Sequence, residues 1–113
     1  MVHRDELIGF RFFALSPAQL DELRKVCPDA QGRPARKREG FIVGSFTLHA
    51  GGDYSWLKPF IQACQIPACD YGLFVSVSTS SESAIVRLPE FAADIFHDVG
   101  GVMDFSFTVL SDE

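Results

Sequence analysis

The side chains of this sequence that could act chemically on a substrate are three cysteines, three histidines and scattered carboxylates. Nucleophilic catalysis requires a nucleophile beside a base, and the nearest approach to such a set is His49, Asp53 and Cys64. No spacing selects these three residues, and the GxSxG and HExxH patterns of known enzyme classes are absent from the sequence. The glycine-rich loops that bind nucleotide phosphates are absent too. We therefore expect a protein without enzymatic activity and without a cofactor.

The cysteines form neither the pattern of a disulfide framework nor that of a zinc site. Their number is odd, no two are spaced as CxxC, and the acidic N-terminal residues do not resemble an export signal. We therefore expect reduced thiols and a cytoplasmic protein. Whether one thiol is reactive stays open, although a buried cysteine usually serves as a small hydrophobic residue. The three are Cys27, Cys64 and Cys69.

Charge is distributed unevenly along the chain, whose formal net charge is −5. Residues 1–40 carry eight basic and six acidic side chains, whereas residues 41–113 carry two basic and nine acidic ones, a net charge of −7. An acidic majority argues against nucleic-acid binding, which requires a basic surface for phosphate. It favours a basic partner, or it serves solubility alone. No apolar run approaches the roughly 20 residues that cross a bilayer, so we expect no membrane association.

A glycine-hinged loop at residues 51–56 is the first candidate binding surface. It carries Asp53, Tyr54 and the single tryptophan, Trp56, immediately before a predicted helix. Exposed aromatic side chains on loops are frequent anchors for a partner. The alternative is that Trp56 covers the core beneath the loop.

An acidic helix face is the second candidate. Glu90, Asp94 and Asp98 lie on one face of a predicted helix, and Asp104, in the strand that follows, is expected beside them. His97 lies between Asp94 and Asp98, so a metal ion could bind there. A solvated charged face is the commoner outcome, and we predict no metal site.

A basic segment is the third candidate. Residues 29–40 have no apolar periodicity and contain glycine and proline, so we predict a mobile loop. This segment could contact an anion or a partner, or it could be solvated only. Its basic residues are Arg33, Arg36, Lys37 and Arg38.

Apolar patterning predicts five strands, at residues 8–15, 41–49, 73–78, 84–88 and 103–109. The first is rich in phenylalanine and is expected to be buried on both faces. The last alternates most clearly. Its pattern predicts that Met103, Phe105, Phe107 and Val109 face the core, and that Asp104, Ser106 and Thr108 face outward.

Three helices are predicted from i, i+3, i+4 apolar stripes and from terminal signals. The first begins at Ser16-Pro17 with Gln19 completing a capping box, and it ends at Pro28. The second covers residues 57–64, with Ser55 or Asp53 as a candidate cap. The third begins at Pro89-Glu90 and ends at two glycines.

These elements predict one α+β domain covering residues 1–113. Helices striped on one side and strands patterned on one side favour a single mixed or mostly antiparallel sheet of about five strands, with helices packed on one face. A homodimer through an edge strand stays open.

The order of elements resembles a domain-of-unknown-function family of small bacterial α+β proteins. The residues that carry the likeness are the Ser-Pro helix at 16–27, the basic Glu-Gly turn at 36–40, the Leu-Pro-Glu helix start at 88–90 and the alternating strand at 103–109. The resemblance implies a bacterial origin and a setting in which immunity proteins occur.

Taken together, these features predict a small bacterial non-enzymatic binding protein. The leading hypothesis is an immunity or antitoxin-type inhibitor that binds a basic toxin and blocks it, with electrostatic attraction accelerating the encounter. The alternative is a small-molecule-binding or regulatory domain whose pocket lies between the sheet and the loop at residues 51–56.

Overall fold

The computed structural model describes residues 4–80 and 87–110. Its centre is a five-stranded mixed sheet in the order β2-β3-β1-β4-β5, in which β4 and β5 are parallel and all other neighbours are antiparallel. Three helices pack on one face of this sheet, so the predicted α+β class is confirmed. The strands are β1 Arg4–Leu15, β2 Gln31–Pro34, β3 Ile42–Thr47, β4 Tyr71–Thr79 and β5 Val102–Val109; the helices are α1 Pro17–Val26, α2 Leu57–Ala63 and α3 Glu90–Val99, with a short 3-10 helix at Ala68–Asp70.

The start of α1 has the predicted capping box. The Ser16 hydroxyl accepts a hydrogen bond from the Gln19 amide (3.1 Å), and the Gln19 side-chain oxygen accepts one from the Ser16 amide (2.9 Å). These two bonds satisfy amides that the first turn of a helix leaves without partners. Leu20 and Leu23 are buried against the sheet, as the apolar stripe predicted.

We expect Ser16→Ala to lower the free energy of unfolding by about 1 kcal/mol, because the Gln19 amide loses its acceptor. Ser16→Thr keeps a hydroxyl at the same position and should retain most of the stability. Urea denaturation followed by far-UV circular dichroism measures both. An alanine variant as stable as the threonine variant would contradict the role of the capping box.

The hydrophobic core is built around the aromatic side chains of β1. Phe10 and Phe12 are fully buried, and the Phe10 ring lies 5.3–5.8 Å from the rings of Phe12, Phe46 and Tyr71. Register explains this grouping, because Phe10 is paired with Phe46 on β3 and Phe12 with Tyr71 on β4. Aromatic rings at such separations contribute to stability beyond their buried area.

The second face of the sheet is not covered by helices. Leu7 remains 43% exposed on this face, and Phe13 is half-buried. The Phe74 ring lies where a side chain on Gly9 would be, and the Arg11 guanidinium stacks over that ring at 4.5 Å. We call this second face the open face. Within the strand predicted at residues 8–15, Gly9 is buried on this face and Arg11 and Phe13 are half-buried, so the expected burial on both faces is met only in part.

Helix α3 ends as predicted and is tied to β4. Gly100 and Gly101 adopt positive φ angles of 69° and 96°, a conformation that glycine accepts at low cost. The Tyr71 hydroxyl donates a hydrogen bond to the Val99 carbonyl at the end of the helix. This bond joins the sheet to the C-terminal turn of α3.

The predicted loop at residues 29–40 contains a strand. Gln31–Pro34 form β2 and pair with β3 at the edge of the sheet, although all four residues are exposed. This strand has no apolar alternation, because the position that approaches the core residue Leu20 is a glycine. Its pairing depends on backbone hydrogen bonds, which side-chain patterning does not report.

The inward orientation predicted for the side chains of β5 is wrong as a statement of burial. Phe105 is 63% exposed, Phe107 45% and Val109 50%, and only Met103 packs partly against the core. The helices pack mainly on β1, β3 and β4, whereas β5 is an edge strand. Alternation correctly identifies which side chains share a face of the strand, but a helix must also cover that face before it is buried.

The strand predicted at residues 84–88 falls mostly on positions 81–86, which lie outside the described residues. The two described positions, Arg87 and Leu88, are not in a strand. Within the described ranges, no helix is long and apolar enough to cross a membrane.

Candidate functional site

The two aromatic side chains of the loop at residues 51–56 turn toward the core. The Trp56 ring lies 5.3 Å from the ring of Phe46, and its indole nitrogen donates to the Asp53 carbonyl (3.1 Å). The Tyr54 ring stacks on Phe46 at 6.3 Å, and its hydroxyl accepts a hydrogen bond from the His49 amide (2.7 Å). Trp56 therefore covers the core beneath the loop, and both Trp56 and Tyr54 are half-buried.

Asp53 shapes the loop and does not cap α2. Its carboxylate accepts hydrogen bonds from the Ser55 amide (3.0 Å) and side chain, which lower its pKa. Helix α2 begins after Trp56 without a side-chain cap, so the caps predicted at Ser55 or Asp53 are wrong. A short Asx turn holds the loop instead.

The loop and α3 enclose a shallow groove of about 390 Å³. Tyr54, Phe91 and Ile95 supply its apolar lining, and Asp94 and Asp98 supply carboxylates. The fold thus joins the first two candidate surfaces, which lie about forty residues apart in sequence. We call this site the acidic groove.

The carboxylates of the acidic groove differ in their partners. Asp98 accepts a bond from the Lys58 ammonium at 3.3 Å, and both side chains are more than half exposed, so this ion pair contributes little to stability. Asp94 is exposed and makes no ion pair or side-chain hydrogen bond with the described part of the chain. Glu90 lies in the first turn of α3, outside the groove lining, where a negative charge complements the helix dipole.

Asp104 lies apart from these residues. It is paired with Phe74 in the β4–β5 ladder and lines a depression on the open face that also contains Arg11. Because α3 packs on the other face of the sheet, the expected proximity of Asp104 to the acidic helix face is wrong. The period of two along β5 places Asp104 on the side opposite Met103, which packs against the core with α3.

The basic segment forms a second concave site. All four of its basic residues line an open cleft of about 630 Å³, together with Phe13, Val43 and Asp70. Phe13 and Val43 belong to the open face, and Asp70 belongs to the short 3-10 helix before β4. The sequence identified the basic residues but not these three. They are distant from the basic segment in sequence, and nothing in their own segments indicates a binding site. We call this site the basic cleft.

The candidate catalytic group is not assembled by the fold. No hydrogen bond or ion pair within the described residues joins His49, Asp53 and Cys64. Burial raises the pKa of the Cys27 and Cys64 thiols, which disfavours the nucleophilic thiolate. Across the part of the chain that the structure describes, no three potential metal ligands cluster together, and none of the cysteines forms a disulfide.

No protein-family model, curated protein or solved structure matches this chain.

Proposed function

We propose that this protein is a small bacterial inhibitor of the immunity type, acting in the cytoplasm, which binds a basic protein through the acidic groove. The observation that carries the proposal is the convergence of Tyr54, Asp94 and Asp98 around one groove. An inhibitor needs a rigid recognition surface and no chemistry of its own. This surface is formed by a helix and by a loop whose aromatic rings pack on Phe46.

The lining of the groove matches the side chain of arginine or lysine. Such side chains combine an apolar stem with a charged head, and Phe91 and Ile95 lie close to the two aspartates. Asp94 is free to accept an incoming guanidinium, and Asp98 can exchange its exposed Lys58 partner for one. A lysine or arginine side chain can therefore bind with its alkyl stem on the apolar lining of the groove and its charged head beside an aspartate carboxylate.

Charge also supports a basic partner. The formal charge of −5 produces a long-range attraction, which accelerates association with a protein of opposite charge. Such attraction weakens as salt is added, because exposed charges are screened over about 8 Å at physiological ionic strength.

The test is to identify the partner and then measure its affinity for groove variants. The tagged protein is used to recover partners from its native host, and the recovered protein is purified and titrated calorimetrically. We expect a basic protein with 1:1 stoichiometry, whose affinity falls at least about tenfold with Asp94→Asn/Asp98→Asn, a loss of about 1.4 kcal/mol. Growth inhibition by the partner should be relieved by the wild-type chain and less by this variant.

The matched control is Asp21→Asn/Glu22→Gln. It also removes two negative charges, but from the exposed side of α1 and not from the groove. It should change the affinity by less than about threefold, because only the long-range attraction is reduced. Circular dichroism must show both double variants folded. An acidic partner, or equal losses with the two variants, would refute the proposal.

A further inference from the structure

We propose that the basic cleft is a binding site for a small organic anion that carries phosphate or carboxylate groups on an apolar body. This site is separate from the acidic groove, because the basic cleft opens on the open face and the groove lies on the helix-covered face. The proposal is therefore independent of the proposed inhibitor function, and either can fail without the other.

The walls of the cleft are held in place by defined contacts. The Arg38 guanidinium donates to the Asp70 carboxylate at 3.2 Å, and that carboxylate is only 16% exposed. The Ala35 amide bonds to the Phe41 carbonyl (3.0 Å), and the Phe41 amide bonds to the Arg38 carbonyl (3.2 Å). These contacts close the turn between β2 and β3 and attach it to the 3-10 helix.

The charge of the cleft is not compensated by the protein itself. Asp70 is the single carboxylate in the lining, and Arg38 already binds it. Arg33, Arg36 and Lys37 make no ion pair or side-chain hydrogen bond with the described residues. Three cations without a protein partner in one lining favour the binding of an anion, because opposite charges attract.

The lining indicates which kind of anion fits. Phe13, which is half-buried, and Val43 line the cleft, and Pro34 and Ala35 extend its apolar lining. Sites for small molecules typically combine an apolar lining with a few polar groups that fix orientation. Arginine binds phosphate and carboxylate through paired N–H donors. A ligand with an anionic head and an apolar or aromatic body would contact both the arginine donors and the apolar lining of the cleft.

A compact anion fits better than a nucleic acid. Outside the four basic residues of the cleft, the sequence contains six other Lys and Arg residues against fifteen Asp and Glu residues. A polyanion that extended beyond the cleft would therefore meet a predominantly negative surface. The cleft volume of about 630 Å³ lies in the range of ordinary small-molecule sites.

The experiment is an NMR titration of the ¹⁵N-labelled full chain with phenyl phosphate, benzoate, inorganic phosphate and a single-stranded oligonucleotide. We expect phenyl phosphate or benzoate to shift the amides of Arg33, residues 35–38 and Val43, with saturable curves. The better of the two should bind about fivefold or more tightly than inorganic phosphate, because its ring can pack on Phe13, and their order identifies the preferred anionic group. Inorganic phosphate that binds as tightly as both ring-bearing anions would contradict the proposal, because the apolar lining would then take no part.

Arg36→Gln/Lys37→Gln should weaken the best probe about tenfold or more, since it removes two of the uncompensated charges. The matched control, Lys25→Gln/Lys58→Gln on the exposed sides of α1 and α2, removes two charges outside the cleft and should leave affinity within about twofold. The proposal is overturned if no small anion shifts these amides in a saturable manner. It is equally overturned if both variants weaken binding alike, or if the oligonucleotide binds more tightly than every small anion.

Discussion

Phe10→Ala is expected to lower the free energy of unfolding by about 3–5 kcal/mol. The Phe10 side chain is 0% exposed and contacts the rings of Phe12, Phe46 and Tyr71, so its removal leaves a cavity at the centre of the sheet. The aromatic neighbours are large and belong to three different strands, which limits how far they can collapse into the space. Chemical denaturation with a two-state analysis measures the loss.

Phe105→Ala is the matched control for this prediction. It removes the same atoms from the edge strand β5, where Phe105 is 63% exposed, and we expect a loss of less than about 1 kcal/mol. The comparison also tests whether the apolar side chains of β5 are exposed, as in the structure, or buried, as the sequence pattern predicted. A loss similar to that of Phe10→Ala would mean that Phe105 is buried in solution, as its alternation predicted.

Gly72→Ala is expected to destabilise the protein by about 3 kcal/mol or more. A Cβ atom at this position would lie 2.1 Å from the Val102 carbonyl oxygen and 2.8 Å from its carbon. Both atoms are backbone, so no change of rotamer can relieve the contact, and the start of β5 must move away from β4. Val102 begins β5, so the parallel pairing of the two strands should weaken from this end.

Gly40→Ala provides the comparison for Gly72→Ala. Gly40 has a φ of 84° and no atom within 4 Å of the added Cβ, so only backbone strain of about 1 kcal/mol is expected. Amide hydrogen exchange separates the two effects. Gly72→Ala should accelerate exchange along β5, whereas Gly40→Ala should leave β5 protected. Unchanged protection of β5 in the Gly72 variant would contradict the close approach of the two strands.

Local order in the helices could be predicted from the sequence. The Ser16–Gln19 capping box, the buried positions Leu57 and Ile61, and the glycines that end α3 all have the predicted arrangement. Each of these features depends on residues within about eight positions of one another. Backbone preference and helical periodicity are local properties, so they are encoded in short segments.

Burial along the strands depended on more distant neighbours. Phe46 and Phe107 both occupy apolar positions in alternating strands. Phe46 is buried on the helix-covered face of the sheet, whereas Phe107, in an edge strand, is 45% exposed. The difference arises from strand order, which places β3 next to the central strand and β5 at the margin. Pairing order depends on contacts between distant segments, and the pattern within one strand does not contain it.

The candidate sites show the same division. The sequence by itself determined which segments carry acidic, basic and aromatic side chains, and it determined the helices that present some of them. Only the tertiary structure brought Tyr54 to the groove of Asp94, placed Phe13 in one cleft with the basic residues and put Asp104 on the opposite face of the sheet. A binding site is a relation between side chains on different elements, and packing of those elements on the sheet sets that relation.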